Sequence, residues 1–188
     1  MVEIDELINN EKEAIYHTIL MMAHNPSISR VFSKNANKRV KDRIYKIIDV
    51  LPTIRSKDSF EKEHKKIMDF IVNKIRNRHE KISYGQAQKS LNVFLKVFVD
   101  WSNLPDKKTA DRIRPFLHCP LDSVIMKTIR KEHKELYKKH GKPRFKSLKI
   151  IDDKDYEKWQ KIIDEITGNE KPVLMDVIWY TRNPKIFL

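Results

Sequence analysis

The sequence predicts a mainly α fold, a compact multi-helix protein with two helical lobes around a central cleft. Three observations carry this. Apolar residues recur at helical spacing through most of the 188 residues. Proline, asparagine and glycine fall between those periodic stretches, where helices end. No alternating run is long enough to build a sheet. Hydrophobic residues make up 40% of the chain, enough apolar surface to offset the entropy of ordering it. One helical domain, residues 1–188, is the default at this length, and 1–101 and 121–188 are its candidate lobes.

In chain order, Leu7, Ile8, Ile15, Ile19, Leu20 and Met22 set a first helix from Ile4 to Ala23, which Asn25-Pro26 should stop. A second runs from Ala36 to Leu51 with Val40, Ile44, Ile47, Ile48 and Leu51 on one stripe, a cationic outer face, and Pro52 at its end. Ser56 or Ser59 caps a third, carried by Phe60, Ile67, Phe70, Ile71 and Ile75 and finishing in the basic stretch Lys74 to Lys81. The fourth, Gln86 to Trp101, is the most apolar. Ser102 to Pro120 holds three prolines and reads mainly as a loop joining the lobes, with Lys107 to Ile113 able to form a short helix. Asp122 to Lys139 is helical and closed by Gly141 and Pro143. Asp152, Asp153 and Asp155 open a last helix through Ile166, ended by Gly168. Val173 to Tyr180 fits helix or strand equally.

Lysine and arginine number 39 against 26 acidic residues, a formal charge of +13. That balance implies a polyanionic partner, a nucleic acid being the simplest; the alternative is a solvated, lysine-rich surface of the thermophile kind. Basic clusters at Arg30 to Arg43, Lys127 to Lys139 and Lys142 to Lys149 favour salt-sensitive phosphate binding over reading one short sequence. Arg39, Arg43, Lys127, Arg130 and Arg144 are the candidate phosphate contacts, and Phe145 lies within the last cluster. The single cysteine, Cys119, excludes an internal disulfide and a thiolate zinc cage. The acidic start Met1 to Glu6, and the lack of an apolar run near about 20 residues, argue against a signal peptide or a membrane span. The cytoplasm is the expected compartment. With only Gly85, Gly141 and Gly168, neither a dinucleotide fingerprint nor a Gly-rich phosphate loop can be written. No cofactor or metal is expected.

Two segments carry candidate chemistry. Ser83-Tyr84-Gly85-Gln86-Ala87-Gln88-Lys89-Ser90-Leu91 reads as a glycine turn entering an apolar helix with a lysine in its first turns. Lys89 is either a half-buried amine able to act as a nucleophile or a snorkelling surface lysine. In His118-Cys119-Pro120-Leu121-Asp122-Ser123-Val124, an aspartate follows a proline turn at a helix start, where it serves either as a reacting carboxylate or as an N-cap.

Together, Gly85-Gln86-Ala87-Gln88-Lys89-Ser90 and Pro120-Leu121-Asp122-Ser123 resemble the helix-hairpin-helix DNA glycosylase superfamily. Gln88-Lys89-Ser90 followed by Phe94 and Lys96, with the long spacer, looks most like its archaeal 8-oxoguanine branch. The resemblance covers about 50 of the 188 residues. It implies a DNA-binding, base-excision N-glycosylase and abasic-site lyase in which Lys89 attacks the anomeric carbon and Asp122 deprotonates it. The base would be flipped out of the duplex, with Trp101, Phe94 or Trp159 as stacking surfaces. Gly85, Gln86 and Gln88 would sit at the DNA, the Gly85 turn offering backbone N–H groups to a phosphate. The chain departs from the pattern at Ala87 and at Ser83-Tyr84, and it holds no cysteine cluster for an iron–sulfur site.

Other constellations are weaker. The seven histidines lie at 17, 24, 64, 79, 118, 133 and 140 without the spacing of a metal site. His118 and Cys119 are neighbours on an extended turn and point apart. Arg76 to His79 and Arg112 to His118 resemble the Arg–His pairs of HEPN ribonucleases only loosely, because Pro115 breaks the second. Asp152, Asp153 and Asp155 are the one dense acidic group a metal-dependent nuclease would use, or else partners of the helix dipole. A non-catalytic basic helical module that binds nucleic acid, regulatory or associated with a mobile element, is the competing function.

Overall fold

Apolar stripes and side-chain caps set the helices, and the computed structural model describes residues 4–28, 32–168 and 172–177. Among these residues the regular structure is α1 Ile4–Ile28, α2 Lys34–Tyr45, α3 Lys57–Lys74, β1 Arg76–Asn77, β2 Glu80–Lys81, α4 Tyr84–Leu95, α5 Lys107–Ile113, α6 Ser123–Glu132, α7 Lys134–Lys139 and α8 Asp153–Thr167. Arg30 and residues 178–180 lie outside the described residues. The mainly helical class holds, the one sheet among the described residues being the antiparallel pair β1–β2, with Arg76 opposite Lys81 and Asn77 opposite Glu80.

Several boundaries differ from expectation, each for a physical reason. The first helix runs through Pro26 to Ile28, because burial of Tyr16, Leu20 and Ala23 against α4 and the turn after it overrides a local stop. The second ends at Tyr45. Beyond it, tighter bonds from Ile47 to Ile44 and from Ile48 to Tyr45 turn the chain ahead of Pro52 while keeping Ile47, Ile48 and Leu51 buried. The third stops at Lys74, and residues 75–81 are not helical: the chain turns back through Arg78 and His79, both at positive φ (50° and 77°), into the hairpin. Lys107–Ile113 does form a helix, capped by Asp106.

Two hydrophobic cores result. The first, from Tyr16 to Leu117, is centred on Phe60, Met68, Phe94 and Phe98, all fully buried. The second, from Cys119 to Ile163, surrounds Trp159, whose indole N–H donates to the Arg144 carbonyl at 2.8 Å. Each such side chain contributes about 1.5–3 kcal/mol by leaving water. The changeover between the two clusters falls at His118, and Ala110 and Ile113 of α5 pack in the first. Tyr84 packs against both cores. A 3-10 segment, Pro172–Val177, places Val173 in the first and Met175 in the second. None of the described helices is long and apolar enough to cross a membrane.

Candidate active site

The site is built on the first two turns of α4. Ser83 caps that helix by accepting from the Gln86 amide, and the Gln86 side chain accepts from the Ser83 amide at 3.1 Å. The Ser83 hydroxyl also donates to Leu148 O at 2.8 Å, and the Gly85 amide donates to Ile151 O at 3.1 Å. These bonds draw the turn 148–151 onto the helix start. Gly85 therefore sits inside α4, not in a left-handed hairpin turn. A Cβ there would stand 2.4 Å from the Leu148 carbonyl oxygen and 2.8 Å from Ile151 Cβ. The expectation that Gly85 offers its N–H to a phosphate is corrected by that engagement.

One turn on, Lys89 points into the gap between the lobes. Its Nζ donates to Asp122 Oδ2 and to the Pro120 carbonyl, each at 3.2 Å. Asp122 is also the N-cap of α6: its Oδ1 accepts from the amides of Val124 at 2.9 Å and Ile125 at 3.0 Å. Capping and pairing are thus shared between the two oxygens of one carboxylate. The side chains are 14% and 25% exposed, so the pair is shielded but reachable.

It opens on a cleft of about 1090 Å³ whose walls come from both lobes. α4 contributes Lys89 and Val93; α6 contributes Asp122, Ser123 and Met126; the hairpin contributes Asn77, Arg78 and Glu80; the connector after α7 contributes Lys146 to Lys149. Five cationic side chains, Arg78, Lys89, Lys96, Lys146 and Lys149, face two acidic ones, Glu80 and Asp122. The walls thus focus a field that favours an anion. After Leu95 the helix widens into a π turn, Lys96–Trp101, which swings Trp101 out to 59% exposure while Phe98 and Val99 stay buried. The Lys96 ammonium lies 4.6 Å from the Trp101 ring centroid. Phe94 and Trp159 are fully buried, which corrects their reading as stacking surfaces and leaves Trp101.

Behind the pair runs a buried polar scaffold. Asn92 donates to Gln88 at 3.2 Å and to the Tyr156 hydroxyl at 2.9 Å, and His64 Nε2 donates to Asn92 Oδ1 at 2.8 Å. His118 bridges the Tyr156 hydroxyl at 2.6 Å and Glu61 at 2.8 Å. Burial lowers His64 to about 3 and pushes the Tyr156 hydroxyl well above the ordinary tyrosine range. Burial would raise the Glu61 carboxyl, but the bond from His118 and the nearby His118, His64 and Lys57 hold it below its usual value.

The remaining sequence-derived candidates lie in several places. Gln86 lines the cleft, its side chain engaged in the cap. Gln88 is fully buried and bonded on all sides, which corrects its reading as a DNA contact. Lys127 is exposed on α6, four residues beyond Ser123 and so on the same helix face. Arg130, one turn past Met126, lies 3.3 Å over the Phe145 ring. Arg39 is exposed and donates to Lys74 O at 2.9 Å, and Arg43 covers Phe70. Arg144 is held by the carboxylates of Asp152 and Asp155, so its charge is largely neutralised within the chain. Those aspartates begin α8, and among the described residues no group of three His, Cys, Asp or Glu side chains could hold a metal.

Arg78, Lys146 and Lys149 line the cleft as well, beyond the sequence-derived candidates. Each lies within a basic run of the sequence, but no local pattern distinguishes the members that turn toward the cleft. Comparison of the chain with protein-family models, with curated proteins and with solved structures finds no match in any of the three.

Proposed function

We propose that the chain is a DNA N-glycosylase and abasic-site lyase that works through Lys89 as a Schiff-base nucleophile. One observation carries the reading: an amine and a carboxylate, 33 positions apart in sequence, meet at 3.2 Å in the wall of a cleft of about 1090 Å³, among cationic side chains. A purely structural ion pair has no need of a cleft beside it. The space also accommodates an extruded nucleotide, with the exposed face of Trp101 for its base and Lys146 and Lys149 for flanking phosphates.

In the proposed chemistry Asp122 takes a proton from the Lys89 ammonium, freeing the lone pair. Nζ bonds to the anomeric carbon as the glycosidic bond breaks, and the departing base keeps that electron pair and takes up the proton that Asp122 relays, which restores the carboxylate. The Asp122 carboxylate faces the positive charge that develops on the sugar. Ring opening yields a protonated imine, which loses a proton from the adjacent carbon and expels the 3′-phosphate. Excision and nicking thereby share one intermediate.

Borohydride trapping tests this on duplexes carrying abasic, 8-oxoguanine or uracil sites, with Lys89→Ala and Asp122→Asn as variants. The expected result is a covalent adduct that vanishes with Lys89→Ala and falls at least about a hundredfold with Asp122→Asn. The second reading is a basic binding module in which the pair only ties α4 to α6; the complete capping geometry of Asp122 favours it. Salt-dependent binding with no adduct on any duplex would select that module.

A further inference from the structure

The pair meets where it does because the three residues before Asp122 are gripped by side chains of other helices. Cys119 is held by Gln160 of α8, which accepts from its amide at 3.1 Å and donates to its carbonyl at 2.9 Å. The Pro120 carbonyl takes Lys89 itself. Leu121 is held by Gln88, which accepts from its amide at 3.1 Å and donates to its carbonyl at 3.0 Å. A glutamine amide carries one donor and one acceptor edge, as a peptide group does, so each clamp imitates a rung of a β-ladder.

Gln88 differs from Gln160 in its position. It directly precedes Lys89, and its target directly precedes Asp122. Its amide also donates to Gly85 O at 3.0 Å and its oxygen accepts from Asn92 at 3.2 Å, so two donors and two lone pairs are all used and the side chain has no freedom to move. It is fully buried, although it reaches no solvent and no ligand.

Resting on the reading of Lys89 and Asp122 as the reacting pair, we infer that Gln88 is a positioning residue, setting the separation of amine and carboxylate by clamping the backbone of Leu121. Reaction rates depend steeply on such separations, and a displacement of about 1 Å costs on the order of a hundredfold.

The experiment compares Gln88→Met with Gln160→Met. Each removes a two-point clamp of the same chemistry from the same segment, so each lowers the melting temperature. Single-turnover trapping on a saturating abasic duplex separates them: Gln88→Met is expected to slow adduct formation about ten- to a hundredfold with duplex Kd unchanged, and Gln160→Met to slow it far less. Equal slowing by the two variants would make Gln88 merely structural and overturn the proposal.

A readout independent of activity covers the case in which the parent chain gives no adduct, which would sink the glycosylase reading alone. Melting temperatures are measured for Lys89→Met, Asp122→Asn and the double variant, in the parent and in the Gln88→Met background. The non-additive part should be present in the parent and vanish with Gln88→Met. If it persists there, the clamp does not set the pair.

Discussion

Replacing Gly85 by alanine tests the account of how the two lobes meet. Gly85 lies in the first turn of α4 with a helical backbone, so alanine meets no conformational barrier and gains somewhat in helix propensity, at most about 1 kcal/mol. What opposes it is space. The new methyl would stand 2.4 Å from Leu148 O and 2.8 Å from Ile151 Cβ, and the nearer obstacle is backbone. Relief requires the 148–151 turn to retreat by about 1 Å, an overpacking cost of about 1–3 kcal/mol. That retreat lengthens two bonds, Gly85 N–H to Ile151 O and Ser83 Oγ to Leu148 O, each worth about 1 kcal/mol. The net is about 2–4 kcal/mol of destabilisation, equivalent to a drop of roughly 4–16 °C in melting temperature for a chain of this size. Differential scanning calorimetry at neutral pH measures it. A melting temperature at or above that of the parent would refute the close approach of 148–151 to α4, and with it the position of Lys146 to Lys149 in the cleft wall.

Four further outcomes follow from the same geometry. Asp122→Ala removes the α6 cap as well as the ion pair and should cost about 1 kcal/mol more than Asp122→Asn, which still caps; chemical denaturation of the two variants measures the difference. Burial lowers His24 to about 4 and His64 to about 3, so both stay neutral in the folded chain at pH values where the unfolded chain binds protons. Their contribution is complete above about pH 6.5 and is lost as pH falls toward 4, at up to about 1.4 kcal/mol per pH unit for each; urea midpoints that stay level from pH 7 to 5 would contradict it. Lys146→Ala and Lys149→Ala should weaken duplex binding alike for all sequences, each reducing the slope of log K against log salt by about one, as fluorescence anisotropy would read. Trp101→Ala should weaken binding to a duplex with an extrahelical base by about 1–3 kcal/mol and leave unmodified duplex nearly unaffected, read in the same assay.

What was legible in the sequence was whatever local chemistry decides. Ser56 and Ser59, offered as alternative caps of the third helix, turn out to act together, the Ser56 hydroxyl accepting from the Ser59 amide and the Ser59 hydroxyl from the Ser56 amide. Asp152 and Gly168 frame α8 as their residue types require. The hairpin was not legible, because two residues per strand leave no alternation to count and its turn uses Arg78 and His79 where glycine or asparagine would signal it. Lys89 and Asp122 could be singled out as residues, whereas the buried network beside them runs through Gln88, Asn92 and Gln160, polar side chains that in a sequence look like surface. Their burial is decided by partners up to 64 positions away. Gly85 was noticed for a conformational freedom it does not use; its missing side chain matters through a neighbour 63 residues later, Leu148.

The segment Pro172–Val177 has a consequence for the order in which the protein can be assembled. Val173 completes the core of α1 to α5 and Met175 that of α6 and α8, so one short stretch fastens two bodies whose own residues are all made before it. During synthesis each lobe can collapse as it leaves the ribosome, but until residue 175 is released nothing from this stretch ties one to the other. Up to that moment the two cores meet only through contacts laid down earlier in the chain, among them those of α4 with α8 and with the 148–151 turn.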